Sequence, residues 1–144
     1  MKEIAYIQWN DSYSVGYRFI DRQHKKLVDI VNTFYEAVKH GQEADLPYKI
    51  LNRLTAYAEE HFRDEETAME LAGCPADMVE KHKAVHEELV KEIFKVAEKA
   101  LTDNSAKALA ETGDLLRRWL LEHILDEDMQ YAPWVSKLKG PLVK

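Results

Sequence analysis

Five glycines and four prolines are the main interruptions in this chain of 144 residues. Between them, apolar residues recur at intervals of three and four. Side chains so spaced share one face of an α-helix, and a periodic run of about twenty residues predicts an amphipathic helix. Leu27, Val28, Val31, Phe34, Tyr35 and Val38 predict a helix over about 21–40, with Gly41 as its stop. A second, over about 45–71, starts at Asp45 as a cap, tolerates Pro47 in its first turn, and turns Leu51, Leu54, Ala58, His61 and Glu65 inward. Gly73-Cys74-Pro75 breaks the chain. A third helix, over about 76–101, has the inward row His82, His86, Leu89, Ile93 and Val96. After a turn at Asp103-Asn104-Ser105, a fourth covers about 106–131, with the row Leu109, Leu116, Leu120 and His123. It stops before Pro133.

Residues 1–20 hold no sustained period and read as an extended arm. Residues 132–144 are expected to form a tail, whose end Lys139-Gly140-Pro141-Leu142-Val143-Lys144 reads as a disordered extension without a role. No strand-like alternation competes. The predicted fold is all-α: an up-down-up-down antiparallel four-helix bundle with an extended N-terminal arm, one domain over residues 1–144.

Composition narrows the function. With 46% hydrophobic and 32% charged residues the chain is neither disordered nor membrane-like. It holds no apolar run long enough to span a bilayer. The start, Met1-Lys2-Glu3-Ile4-Ala5-Tyr6, has an early acid and no long apolar core, unlike a secretory signal. Cys74 is the single cysteine, which suits a reducing cytoplasm, the expected location. A net charge of −6 without a basic stripe argues against nucleic acid. No exposed heptad seam asks for a partner copy, so a monomer is expected.

Histidine carries the chemistry. In an antiparallel bundle, His24 near the start of helix one, His61 and Glu65 late in helix two, His82 and His86 early in helix three, and His123 and Asp128 late in helix four all lie toward one end. The i, i+4 pairs His61/Glu65 and His82/His86 each project from one face, and that face continues the apolar row. His24 continues the row of Val28, Val31 and Tyr35. His123 and Asp128 are less regular, because five residues correspond to about 140° of rotation. Asp128 then reaches the centre only from the edge of the buried face or from a distorted helix end. One buried histidine is ordinarily a hydrogen-bonded core residue, but that does not explain convergence from four helices. Seven ionisable groups in one core layer are costly unless a metal satisfies them.

A single zinc needs four ligands, and calcium or magnesium prefers oxygen. An imidazole-rich, carboxylate-containing set suits two first-row transition metals, with iron the natural choice. If both carboxylates bridge and one oxygen also bridges, two six-coordinate irons retain roughly one open position for a small diatomic molecule. The Glu-x-x-His pairs of ferritin-like oxidases are missing from the sequence.

At these residues the chain resembles the bacterial hemerythrins, from about Trp9 to Trp134. The likeness is carried by Val15-Gly16, Ile20-Asp21-Arg22-Gln23-His24-Lys25-Lys26-Leu27, His61-Phe62-Arg63-Asp64-Glu65-Glu66, His82-Lys83-Ala84-Val85-His86 and His123-Ile124-Leu125-Asp126-Glu127-Asp128, in order on four successive helices. The resemblance implies two Fe ions with a bridging oxo or hydroxo group and O2 as the ligand. By it, His82, His86 and His123 would hold one iron, His24 and His61 the other with the open position, and Glu65 and Asp128 would bridge. Phe62, Trp119, Leu120 and Ile124 lie beside or one turn from ligands and are expected to form an O2 pocket, as well as ordinary core. His40, at the far end of helix one, is expected to be solvated. Of Glu59, Glu60, Glu66, Glu87 and Glu88, one or two are expected to accept a histidine N–H. Gly73-Cys74-Pro75 departs from the tyrosine-proline pair often found in the family, and removes no ligand.

The leading expectation is reversible O2 binding for storage, transport or delivery, without catalysis. Sensing of O2 or redox state through a separate protein partner, peroxide or nitric oxide chemistry, and iron storage remain as alternatives.

Overall fold

The structure, a computed structural model, describes residues 6–41, 45–103 and 105–142. The expectations that touch the first residues of the arm, Asn104 and the last two residues of the tail lie outside the described residues. Four long rods dominate. α1 is Arg18–His40, α2 is Leu46–Leu71 and α3 is Ala76–Thr102. The fourth rod is α4, Ala106–Arg118, continued by a π-helical stretch Trp119–Leu125 and by α5, Asp126–Asp128. A short helix α6, Ala132–Val135, follows, and a 3-10 turn at Asp11–Tyr13 lies in the arm. α2 packs on α1 and α3, α4 packs on both α1 and α3, and the connections are short, which makes an antiparallel up-down-up-down bundle.

The helix ends follow local chemistry. Gly41 takes the left-handed conformation (φ 57°) that ends α1, and its N–H bonds Ala37 O. Ser105 caps α4 through its side chain, accepting from Ala108 N at 3.2 Å. Asp45 occupies the cap position of α2 without a side-chain cap bond, and its carboxylate pairs with Lys49 at 3.2 Å instead. α1 starts three residues before the expected Asp21. That carboxylate serves the arm, accepting from Ser14 Oγ at 2.6 Å and Val15 N at 2.9 Å. The early start also buries Ile20.

The interior is divided in two. A large apolar cluster includes Leu27, Val31, Phe34, Leu51, Leu54, Phe62, Leu89, Ile93, Leu116, Trp119, Leu120 and Ile124. A smaller one joins Val15, Tyr17, Ile20, Ala68, Met69, Val79, Tyr131 and Val135. Each fully buried aliphatic or aromatic side chain in them contributes about 1.5–3 kcal/mol relative to exposure.

The smaller cluster corrects the expectation of a disordered extension where it is described, over residues 139–142. Val135 is fully buried, Leu138 and Leu142 pack on the cluster, and Tyr17 donates its hydroxyl to Gly140 O at 2.9 Å. The tail docks because the arm offers it an apolar surface. Gly16 (φ 81°) permits the close approach, since a Cβ there would lie 2.8 Å from Ser136 Cβ.

Candidate metal centre

Along each rod the ionisable groups fall between the two apolar clusters. On α1, Ile20 belongs to the small cluster, Leu27 to the large one, and His24 lies between. On α2, His61 and Glu65 separate Ala58 from Ala68; on α3, His82 and His86 separate Val79 from Leu89. On the fourth rod, Asp128 lies between Leu125 and Tyr131. The result is a polar layer sealed by apolar side chains above and below. His24, His61 and Glu65 are 0% exposed, and His82, His86 and Asp128 no more than 4%.

Asp128 reaches this layer because of the π-helical stretch. A regular helix from Leu116 to Asp128 would leave the two about 120° apart. A wide turn that absorbs one extra residue reduces the angle to about 20°. Leu116 and Asp128 are accordingly both buried. Trp119, the first residue of the wide turn, donates its indole N–H to Leu89 O at 3.1 Å and ties the turn to α3. His123 lies within this π-helical stretch, and its side chain is outside the described residues.

The other six expected ligands converge as two overlapping groups. Ligand atoms of His24, His61, Glu65 and Asp128 lie within 4.8 Å of one another, as do those of His82, His86 and Asp128. Asp128 joins the groups directly, with Oδ2 2.9 Å from His24 Nε2 and Oδ1 2.8 Å from His82 Nε2. Glu65 also spans them. Its Oε1 is 3.1 Å from His61 Nε2 and 3.4 Å from His86 Nε2, and its Oε2 is 3.4 Å from His24 Nε2.

Charge in this layer is unbalanced without a cation. Burial works against a charged His24, but hydrogen bonds to Asp128 and Glu65 outweigh it and push the imidazole up to about 10. Burial likewise opposes a charged His86, and Glu65 and Glu66 push it up to about 9. Burial also works against ionised Glu65, yet His61, Asp128 and His24 hold that carboxyl well below the usual carboxylate range. Burial first, and the Glu65 carboxylate second, push Asp128 up. Protons on the imidazoles thus meet a demand for positive charge that a metal ion would meet as well.

Unpaired atoms test the fit. His24 Nδ1, His61 Nε2, Glu65 Oε1 and His86 Nε2 are buried and lack hydrogen-bond partners. His61 places Nδ1 2.7 Å from Gln23 Oε1, and His86 places Nδ1 2.8 Å from Glu66 Oε2. Both Nδ1 atoms face acceptors, so in the neutral rings the lone pair is on Nε2. Those lone pairs confront the lone pairs of Glu65 Oε1. A cation between them removes the conflict, and imidazole nitrogen with carboxylate oxygen suits a first-row transition metal.

The remaining expected residues are placed as follows. Phe62 stacks on His86, with centroids 4.1 Å apart and planes at 8°, and lies 5.7 Å from the His61 ring. Trp119, Leu120 and Ile124 are buried in the large cluster. His40 is exposed and pairs with Glu36 at 3.0 Å. Glu59, Glu60, Glu87 and Glu88 are exposed, whereas Glu66 accepts from His86. Cys74 is half-buried beside the small cluster.

Sequence reasoning missed two supporting side chains. Gln23 is buried between His61 and Asp64, to whose Oδ2 its Nε2 donates at 2.8 Å. Tyr131, fully buried, donates its hydroxyl to Glu65 Oε2. Tyr131 lies one turn beyond Asp128, and that spacing is a signal that was available.

Among the described residues no helix is long and apolar enough to cross a membrane. Residues 15–135 match the family described as "Hemerythrin HHE cation binding domain". A bacteriohemerythrin of Pseudomonas paraeruginosa is 32% identical over 98% of this chain and 89% of its own length. One of Clostridium acetobutylicum is 32% identical over 85% of this chain and 96% of its own. The crystal structure of a hemerythrin leucine-to-alanine mutant superposes with a TM-score of 0.78 at 30% identity, covering 92% of this chain and 99% of that one. With the family match spanning the arm's end, all four rods and α6, this chain belongs to the hemerythrin family.

Proposed function

We propose that this chain binds O2 reversibly at a di-iron centre bridged by carboxylates and an oxo or hydroxo group, and serves in oxygen storage, transport or delivery. One observation carries the reading: buried histidine nitrogens, those of His61 Nε2 and His86 Nε2 unpartnered beside Glu65 Oε1, converge on two carboxylates that each reach histidines of both groups. His24 and His61 would hold one iron; His82 and His86, with His123 by family resemblance, would hold the other. Glu65 and Asp128 would bridge. Iron held by these residues would supply the reversible redox chemistry that O2 binding needs.

The protein's own contribution is positioning and exclusion of water. Gln23 and Glu66 orient the rings of His61 and His86, and Tyr131 steadies Glu65. Phe62, Trp119, Leu120 and Ile124, all buried, would form the dry wall of the O2 pocket. We read the chain as an oxygen binder rather than an enzyme. We further read it as a cytoplasmic monomer that passes O2 to a separate acceptor.

The test is anaerobic loading with ferrous iron, admission of air, then evacuation. A coloured adduct that appears and disappears over repeated cycles is expected. Irreversible conversion to the ferric form with accumulating product would favour an oxidase or peroxidase. Failure to form any stable adduct would favour sensing or iron storage.

A further inference from the structure

Two of the metal-facing imidazoles are backed by different chemistry, and the hydrogen-bond logic behind each is closed. Asp64 is buried and its carboxylate accepts from Gln23 Nε2 at 2.8 Å. That bond turns the amide so that Gln23 Oε1 faces His61 Nδ1 at 2.7 Å. His61 must then donate from Nδ1, and its neutral amide partner adds less electron density to the ring than a carboxylate in direct contact would. On the other side His86 Nδ1 lies 2.8 Å from Glu66 Oε2, and Glu66 is 22% exposed. Here the acceptor is a carboxylate, and a histidine that gives its N–H to a carboxylate becomes a more basic ligand through Nε2. His24, the partner of His61, has no partner at Nδ1.

We propose that Gln23 and Glu66 are positioning residues that make the two halves of the centre unequal, with the His82/His86 half holding its cation more tightly because a carboxylate, not an amide, backs His86. This rests on the two-metal reading above. Ligand number alone cannot produce the effect of exchanging these acceptors, because neither side chain is offered as a ligand. The two hydrogen bonds fix the ring orientations equally well, being within 0.1 Å of each other in length. The difference between Gln23 and Glu66 as acceptors therefore lies in charge rather than in pre-orientation.

The experiment titrates the metal-free full-length chain with Co2+, following calorimetry and the visible absorption of the bound ion. Wild type is expected to take up about two Co2+ in two resolved steps. Glu66→Gln keeps an acceptor for His86 but removes its charge, and should weaken the tighter step about 10–100-fold while leaving the weaker one in place. Gln23→Glu should strengthen the weaker step. It also sets a second carboxylate beside Asp64, so Glu66→Gln, at a partly exposed position, is the variant that decides. A Glu66→Gln protein with both steps unchanged, or with both weakened equally, overturns the inference while leaving two-metal binding intact. A wild-type chain that saturates below two Co2+ overturns the two-metal reading and the inference together.

Discussion

The phenol of Tyr131 is the most sharply testable support of the centre. Its hydroxyl donates to Glu65 Oε2 with both side chains fully buried. Burial, then Asp128 and Glu65, push the phenol well above its ordinary value, so it stays a donor at every accessible pH. Tyr131→Phe removes one oxygen and leaves the ring in the small apolar cluster, which makes the hydrogen bond the main thing lost. A bond to a charged acceptor contributes about 1.5–3 kcal/mol, and here its loss leaves a buried carboxylate oxygen short of a donor. At roughly 2–4 °C per kcal/mol for a chain near this size, the metal-free variant should melt about 3–12 °C below wild type. Urea denaturation should show an earlier midpoint with the same slope, because the surface exposed on unfolding is unchanged. Tyr17→Phe is the matched control: its hydroxyl donates to the backbone Gly140 O, a neutral acceptor, and its loss should cost only about 0.5–1.5 kcal/mol. A double-mutant cycle with Glu65→Gln should return a coupling of about 0.5–3 kcal/mol. If Tyr131→Phe costs no more than Tyr17→Phe, or costs the same with Glu65→Gln present, the argument that this phenol holds the carboxylate is wrong.

The remaining expectations are shorter. In the metal-free protein the raised values of His24 (about 10) and His86 (about 9) mean that their stabilising contribution is complete below their unfolded value near 6.5 and is lost as pH climbs through 9 to 10. Melts in the presence of chelator should therefore fall between pH 6.5 and 10, whereas metal binding should strengthen with rising pH; a flat or rising melting curve contradicts this. His82→Ala should lose most of its iron by elemental analysis, and full di-iron occupancy in that variant would refute the ligand assignment. Leu120→Ala, at a fully buried site, should cost about 2–5 kcal/mol and speed autoxidation of the oxygenated protein; an unchanged autoxidation rate would argue against Leu120 as part of the pocket wall. Gly16→Ala should cost at least about 1 kcal/mol, because φ is +81° and the new methyl would meet Ser136; tryptic cleavage at Lys137 or Lys139 should accelerate, and an unchanged rate would show that the tail does not depend on this approach.

How much was legible beforehand varies by element. The four helices could be read within a few residues because apolar periodicity is a local property repeated many times along each rod. The gathering of His24, His61, Glu65, His82 and His86 at one end followed from antiparallel connectivity, which short turns enforce. Asp128 was harder. Its offset from His123 signals an irregularity, but regular periodicity cannot say that the helix will widen from Trp119 to Leu125 to accommodate it. The tail gave no periodic signal because α6 is only four residues long and its Val135 is held in one cluster with Val15 and Tyr17, more than a hundred residues earlier in the chain.

What the sequence alone determined, then, is the set of rods, their alternating direction and the level at which most of the metal-ligand types meet. These depend on spacing and on chain connectivity, both of which are written residue by residue. Tertiary structure decided the rest: that Asp128 turns inward, that Gln23 and not a carboxylate backs His61, that Glu66 among the flanking glutamates accepts from the His86 ring, and that Tyr131 seals the layer from below. Each of these is a choice between partners on different helices. Such choices are set by which lone pairs and protons are left facing one another once the apolar faces have packed, and no local pattern encodes that.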